Sequence, residues 1–287
     1  HLCDRRQRQM CIRDRLPYSW SVNNIAFAEV MHTALSYFQA GRAEAGYKLL
    51  KSSVLDGLYL GDSPGNFGQI SFYDAARGEC YRDFGDPIGV ASRVLIQGLF
   101  GILPDALNQQ IILRPGFPDD WDKASVSTPD ISYRFTRKED TDTYHITQRF
   151  QTPLHPVLQI NARKEKIRSV KVNGVPATWQ SIESAHGYPL LSIQAEGTSS
   201  TTITIEWEGA SLHTLAVQEL VIASNGKLAL QIPSGASISQ VYDPQSVLAK
   251  HTVEATAFNA QLKGEPGHHT FFVYTHQGEM DWWQPVN

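Results

Sequence analysis

The hydrophobic pattern of the chain changes in character near residue 118. Before that point, apolar residues recur at steps of three and four, which is typical of amphipathic helices. This pattern predicts helices at about 22–40 and about 43–55, and a third that runs from the Asp86-Pro87 pair to Pro104. Asp is a favoured N-cap and Pro is favoured at the first helical position, so that pair is a well-defined helix start.

Beyond residue 118 the pattern is that of β-structure. Short runs rich in β-branched and aromatic residues lie between turn residues, which predicts strands near 111–115, 131–137, 143–150, 156–160, 167–174, 190–196 and 201–209. The Asn173-Gly174 pair is typical of a two-residue hairpin turn. A second series of such runs begins after Gly209. We therefore predict a helical part at 16–108, a β-sandwich at 109–209 and a second small β-sandwich at 210–287.

The first fifteen residues, HLCDRRQRQMCIRDR, do not fit this organisation, because they hold five Arg and two Asp and no apolar run. The codons that would encode residues 5–14 resemble a common sequencing adapter. We interpret residues 1–15 as a non-native, adapter-derived leader and exclude them from the fold. Cys80 is then the one remaining cysteine, so the sequence predicts neither an intrachain disulfide nor a Cys-based metal site.

Charge and motifs narrow the range of partners. The formal net charge of −4 gives no basic surface for nucleic acid, and no run of eighteen apolar residues predicts a membrane segment. His268 and His269 are adjacent, so in a strand they would point to opposite faces. The sequence has no helical zinc motif and no phosphate-binding loop. We therefore expect no metal, no cofactor, no nucleic-acid partner and no membrane partner.

Four motifs follow one another across the predicted helix-to-strand junction. They are Leu99–Pro104 (LFGILP), Ile112–Pro115 (ILRP), Trp121–Pro129 (WDKASVSTP) and residues 170–174 (VKVNG). In this order, after paired helices and a long loop, they resemble the end of the (α/α)6 toroid of bacterial six-hairpin glycosidases, in particular the α-L-rhamnosidase-like branch, where the toroid meets a C-terminal β-sandwich. The resemblance covers roughly residues 17–209.

The resemblance implies an α+β multidomain fold that contains only the last three helices of the toroid. The chain would be the C-terminal part of a bacterial glycoside hydrolase that acts on complex polysaccharide or oligosaccharide, and it would be inactive alone. Its partners would be the carbohydrate substrate and the missing N-terminal toroid helices, which carry the general acid. The family also implies a secreted or periplasmic location. The alternative is a non-catalytic carbohydrate-binding or scaffold protein on the same fold.

The loop at 62–86 has the composition that glycoside hydrolysis requires, since it combines carboxyl groups with aromatic rings. In the rhamnosidase-like pattern this loop carries a Trp-Glu pair whose Glu is the general base. This sequence has Gly68-Gln69 there, and an amide cannot accept a proton from water. The predicted base is therefore Asp86, with Asp83 and Glu79 as alternatives. A purely structural role stays open for each of them, as a helix cap for Asp86 and in ion pairs with Arg77 or Arg82 for the other two.

The remaining candidates would bind the sugar. Aromatic rings for stacking are Tyr18, Trp20, Phe67, Tyr73 and Tyr81, and polar groups for the hydroxyls are Asn24, Gln69 and Arg93. Arg93 follows Asp86 by two helical turns, so it would hold Asp86 or a sugar carboxylate, or else form a structural ion pair. Trp282 and Trp283 have two open roles. They would either bind carbohydrate or pack against an adjoining domain, and the second role is favoured.

Overall fold

The computed structural model describes residues 24–55, 59, 69–71, 86–212, 221–223 and 225–287. Two compact units make up the chain, His1–Trp121 and Asp122–Asn287. The first contains the helices, and the second contains antiparallel sheets. The α+β class with β-sandwich structure is thus confirmed, whereas the toroid stays a prediction. Among the described residues, none of the helices has the length and hydropathy needed to cross a membrane.

Three α-helices occur in the described part of the first unit: α1 (Phe27–Gln39), α2 (Ala43–Val54) and α3 (Asp86–Arg93), which continues as a π-helix at Val94–Leu99. The predicted start of the first helix at residue 22 is wrong. Residues Asn24–Ala26 instead form strand β1, which pairs with β2 (Gln69–Ser71). The predicted end of the third helix at Pro104 is also wrong, because Pro104 lies in a strand.

Phe38 is the centre of packing in the first unit. It is the last of the buried α1 residues that recur at helical spacing, after Val30, Met31, Ala34 and Leu35. Glycines from three separate segments leave room for its ring. A Cβ built at Gly46, Gly98 or Gly116 would lie 3.0, 2.6 or 2.3 Å from the Phe38 ring. Small residues are therefore required around one large side chain, as close packing demands.

Two strands follow the π-helix and form a hairpin, β3 (Ile102–Asp105) and β4 (Gln110–Leu113). A short 3-10 turn at Ala106–Asn108 joins them, and Gln109 has a φ of 54°. A series of contacting aromatic rings follows, and it includes Trp121, the last residue of the unit. Phe100 lies edge-on to Phe117, at 5.4 Å between ring centroids, and Trp121 contacts both Phe117 and Tyr47.

The second unit begins with a six-stranded antiparallel sheet in the order β10-β9-β13-β7-β6-β5. Its strands are β5 (Lys123–Ser127), β6 (Ile131–Lys138), β7 (Thr141–Gln148), β9 (Lys164–Val172), β10 (Val175–Pro176) and β13 (Ser200–Ser211). A second group contains β8 (His155–Asn161), β12 (Leu190–Gln194) and β11 (Gln180–Ser181). Alternate residues of β6, β7 and β13 are buried and so are most residues of β8 and β12, the pattern of two sheets packed face to face.

The predicted strands of this sandwich are confirmed, and so is its hairpin. Asn173 and Gly174 have φ values of 51° and 79°, and they join Val172 of β9 to Val175 of β10. Both residues lie in the left-handed region that the favoured two-residue turn requires. Strand β5 was not predicted. Its sequence, KASVS, alternates small apolar residues with polar ones, but the run is short, has no aromatic residue and none of its residues is buried, so the strand signal is weak.

A second, smaller sandwich follows. One sheet has the order β14-β17-β16 and the other β15-β18-β19. The strands are β14 (Lys227–Gln231), β15 (Ala236–Tyr242), β16 (Leu248–Val253), β17 (Ala257–Leu262), β18 (Phe271–Gln277) and β19 (Met280–Val286). Both sheets contribute to one core, which includes Leu228, Phe258, Phe271 and Val273.

The two tryptophans of β19 have different environments. Trp282 is fully buried within this unit, and its Nε1 donates a hydrogen bond to Gln284 Oε1. The interpretation of Trp282 as packing against an adjoining domain is therefore wrong. Trp283 lies on the opposite face of the strand and is half-buried. One side chain belongs to the core and its neighbour to the surface, because successive residues of a strand point to opposite faces.

Two buried tyrosines make the first sandwich sensitive to alkaline pH. Burial raises the pKa of Tyr144, and the Asp142 carboxylate raises it further, while burial next to Tyr144 raises the pKa of Tyr133. A group whose pKa is higher in the folded state than in the unfolded state contributes stability below its unfolded pKa. That stability is lost as the pH rises through the folded value. We expect unfolding above about pH 10, the ordinary pKa of tyrosine.

The measurement is a joint titration by tyrosinate absorbance and circular dichroism. Part of the tyrosinate signal should appear only together with the loss of β-structure. Tyr144→Phe should raise the pH at the midpoint of that loss, because it removes one of the groups that must ionise. Complete tyrosine ionisation with an intact sheet spectrum would contradict the prediction.

Candidate functional site

The structure describes four of the eleven predicted site residues, namely Asn24, Gln69, Asp86 and Arg93. The other seven lie outside the described residues: Tyr18, Trp20, Phe67, Tyr73, Glu79, Tyr81 and Asp83. Their assigned roles therefore stay predictions. All four described residues belong to the first unit.

The β1–β2 ribbon holds two of the predicted sugar-binding residues on adjacent strands. Asn24 pairs with Ser71, and Gln69 pairs with Ala26, in antiparallel register. The ribbon therefore joins the start of α1 to the segment at Gln69. This is the position at which the rhamnosidase-like pattern described above has its Glu. These residues are 45 positions apart in the sequence, so local patterns could not reveal their proximity.

Asp86 and Arg93 are the first and last residues of α3, so the predicted helix start is confirmed. Arg93 is exposed, and its Nε donates a hydrogen bond of 2.8 Å to Gln97 Oε1. This contact joins two side chains one turn apart and leaves other guanidinium N–H groups available to a second partner. The predicted interaction of Arg93 with Asp86 or with a sugar stays a prediction.

The sequence analysis did not single out Glu29, in the first turn of α1. Its Oε2 atom is buried and has no hydrogen-bond partner among the described residues. Glu29 follows Ala26, the partner of Gln69, by about one helical turn. Burying a carboxylate oxygen without a partner is costly, so such an atom calls for an explanation. The available signal was an acidic residue directly before Val30 in the apolar stripe of α1.

A shallow groove of about 440 Å³ lies on the six-stranded sheet of the second unit. Ser127, Ser132, Arg134 and His145 contribute to its lining, and His145 Nδ1 lies 2.9 Å from Thr202 Oγ1. The aromatic residue in the lining, Tyr133, is only 1% exposed and so offers no ring face to a ligand. The groove is therefore a polar surface without a stacking platform.

Within the described part of the chain, no group of three or more His, Cys, Asp or Glu side chains is arranged to hold a metal ion. Among the acidic residues described in the first unit, Glu29 and Asp86 both lie at helix starts. A carboxylate can accept a hydrogen bond from water or from a hydroxyl group, and it can act as a base.

Comparison with known proteins gives distant structural similarity only. No family model matches the chain, and no curated protein matches it. Among solved structures, it is similar to the structure of an α-L-rhamnosidase from Dictyoglumus thermophilum, with a TM-score of 0.41 and 13% sequence identity. The match covers 71% of this chain and 23% of that chain, so this chain spans about a quarter of the length of its neighbour.

Proposed function

We propose that the chain is the C-terminal part of a bacterial glycoside hydrolase of the six-hairpin type, which acts on complex polysaccharide or oligosaccharide. Its helices would complete a toroid with helices that precede them in the same protein, and the chain alone would be inactive. The family resemblance extends the proposal to a secreted or periplasmic location. The proposal rests on the contacts between the LFGILP and ILRP motifs at the end of the helical part.

The LFGILP and ILRP motifs are bound to each other. Ile102 pairs with Leu113, Arg114 N donates to Gly101 O at 2.8 Å, and Gly116 N donates to Leu99 O at 3.0 Å. The residues that carry the resemblance are thus those that end the helix and start the hairpin. This supports the interpretation of residues 99–115 as the junction between a toroid and a sandwich.

Exposed apolar side chains on the helices give further support. Ile88 and Leu95 are two helical turns apart on α3 and its π-helical continuation, with 54% and 39% of their surface exposed, and Leu55 at the end of α2 is 41% exposed. Large apolar residues along one helical face are typical of a surface that packs against another element. Additional toroid helices are the partner that the proposal supplies.

The proposed mechanism uses one carboxylate from this chain. In an inverting reaction, a base removes a proton from water as the water oxygen attacks the anomeric carbon, and an acid protonates the departing oxygen. We assign the base to Asp86 at the start of α3, with Asp83 and Glu79 as alternatives from the loop. Glu29 is added as a fourth candidate, because its buried oxygen has no partner among the described residues. The acid would belong to the preceding helices.

The test is Asp86→Asn in the complete protein, with and without Glu29→Gln. Loss of a general base should lower turnover about 100-fold or more while the protein stays folded. Release of reducing sugar from plant polysaccharides and aryl glycosides is the measurement. Asp105→Asn is the matched control, since the Asp105 carboxylate accepts hydrogen bonds from Asn108 in an exposed turn. Unchanged turnover in Asp86→Asn would remove Asp86 from the mechanism.

A second candidate function is carbohydrate binding without hydrolysis, on the same fold. Gln69 favours it, because the residue stands where the family pattern has its catalytic Glu. Binding of oligosaccharides by the complete protein without release of reducing sugar would support this alternative. Restoration of hydrolysis by Gln69→Glu would show that only the base had been lost.

A further inference from the structure

The outer face of sheet β15-β18-β19 carries a continuous group of aromatic side chains. Tyr242, Phe272, Tyr274 and Trp283 belong to three adjacent strands, and three pairs of their rings are in contact. Ring centroids are 6.1 Å apart for Tyr242 and Phe272, 6.4 Å for Tyr242 and Trp283, and 4.9 Å for Tyr274 and Trp283. We call these four residues the aromatic face. They lie on the side opposite to the buried Val273, Thr275 and Trp282.

The aromatic face is accessible. Tyr242 is 57% exposed, and the other three side chains are half-buried, so the rings offer their surfaces to solvent while neighbouring strands hold them in place. The loop before β12 also fixes it. Gly187 N donates to Trp283 O, and Trp283 N donates to Ala185 O, which places the His186 ring edge-on to Phe272 at 5.7 Å. The platform is therefore built from two segments of the unit.

Polar groups border the rings. His276 follows Tyr274 on β18; its Nδ1 contacts Asp281 Oδ1, and its Nε2 lies 2.6 Å from Ser239 Oγ. Asp281 also acts on Tyr274, since burial together with the charges of Asp281 and Glu183 raises the pKa of that phenol. Hydrogen-bonding groups thus lie beside flat apolar surfaces, the combination that characterises small-ligand sites.

The charge of this region selects among possible ligands. Strands β15, β18 and β19 and residues 182–188 contain no Lys or Arg, but they contain Glu183 and Asp281. An anionic polysaccharide, a nucleic acid or an acidic lipid surface would meet only repulsion here. The exposed apolar groups are rings, which suit the flat C–H face of a pyranose, and the bordering carboxylate and hydroxyl groups suit its hydroxyls.

We propose that the aromatic face binds a neutral saccharide, with a sugar ring stacked on Tyr242 and Trp283 and its hydroxyls hydrogen-bonded to the Asp281 carboxylate, which His276 holds in place. This site contains no residue of the proposed catalytic loop. It requires no hydrolysis, so it stands whether or not the proposed glycosidase activity is found.

The experiment is a titration of the full chain with neutral cellohexaose, xylohexaose and mannohexaose, and with anionic oligogalacturonate. Binding is measured by calorimetry and by tryptophan fluorescence. We expect at least one neutral hexasaccharide to bind and the oligogalacturonate not to bind. Tyr242→Ala should weaken binding about tenfold, and Tyr242→Phe should retain it, because the ring and not the hydroxyl makes the stacking contact.

Tyr59→Ala is the matched control, since Tyr59 is a 69% exposed tyrosine of the first unit. It should bind like the unchanged chain. Near-ultraviolet circular dichroism of each variant separates lost binding from lost folding. The proposal is overturned if none of the neutral oligosaccharides binds, if the anionic one binds best, or if the folded Tyr242→Ala variant binds as tightly as the unchanged chain.

Discussion

Replacing Asp142 by Asn is expected to lower the free energy of unfolding of the second unit by about 3 kcal/mol, because it leaves two arginines without their shared anion inside the sandwich. Asp142 is 1% exposed. Its Oδ1 accepts hydrogen bonds from Arg137 Nε at 2.9 Å and from an Arg163 terminal nitrogen at 3.0 Å. Its Oδ2 accepts one from Trp207 Nε1 at 3.1 Å.

These contacts join three strand segments around one carboxylate. Arg137 lies near the end of β6, Asp142 near the start of β7 and Trp207 in β13, while Arg163 comes from the turn before β9. Both arginine side chains are about one quarter exposed. Part of their charge is therefore solvated, which places the expected cost at the lower end of what breaking a buried ion pair costs.

A neighbouring carboxylate provides the control. Asp140 lies two residues away and pairs with Lys164 at 2.8 Å, but more than half of its side chain is exposed. Solvent screens such a pair, so Asp140→Asn should leave the unfolding transition almost unchanged. Urea unfolding followed by tryptophan fluorescence and by sheet circular dichroism would measure both variants. Equal effects of the two substitutions would show that the Asp142 network does not stabilise the fold.

The strands of the sandwiches could be predicted from the sequence, because the alternating residues and turns that indicate them lie within short segments. Alternating residues such as Tyr133, Phe135, Tyr144 and Ile146 are buried on one side, and the turn at Asn173-Gly174 follows from its own conformational preference. Asp142 gave no such signal. It reads as an ordinary polar residue at the start of a strand, and only pairing with β13 places Trp207 beside it.

Non-local contacts also explain the errors at the helical end. The stripe that starts at Val22 extends the helical pattern too far, because the pairing of β1 with a segment 45 residues away overrides it at Asn24–Ala26. The same pairing brings Gln69 towards the start of α1, where Glu29 holds a buried oxygen. Residue types alone did not single out Glu29, because only the pairing of β1 with β2 places the Gln69 strand next to the start of α1.

Gly101→Ala is expected to destabilise the first unit by about 3 kcal/mol or more, through strain and overlap together. Gly101 has a φ of +64°, and a Cβ there would lie 1.9 Å from the carbonyl oxygen of Arg114 and 2.1 Å from its carbon. Both are backbone atoms at the end of β4, so they cannot rotate away as a side chain would. The hydrogen bond from Arg114 N to Gly101 O holds the same two segments together.

Gly41 separates the two effects in the same unit. It has a similar φ of +73°, but the nearest atom to a Cβ there is a terminal nitrogen of the Arg114 side chain, at 4.0 Å. Gly41→Ala should therefore cost only the left-handed backbone strain, about 1 kcal/mol. Thermal unfolding of both variants, followed by helical circular dichroism, measures the difference. Equal losses of stability in the two variants would mean that the helix end can move away from β4. In that case residues 99–115 would be two adjacent segments rather than one fixed junction, and the proposed function would lose the observation that carries it.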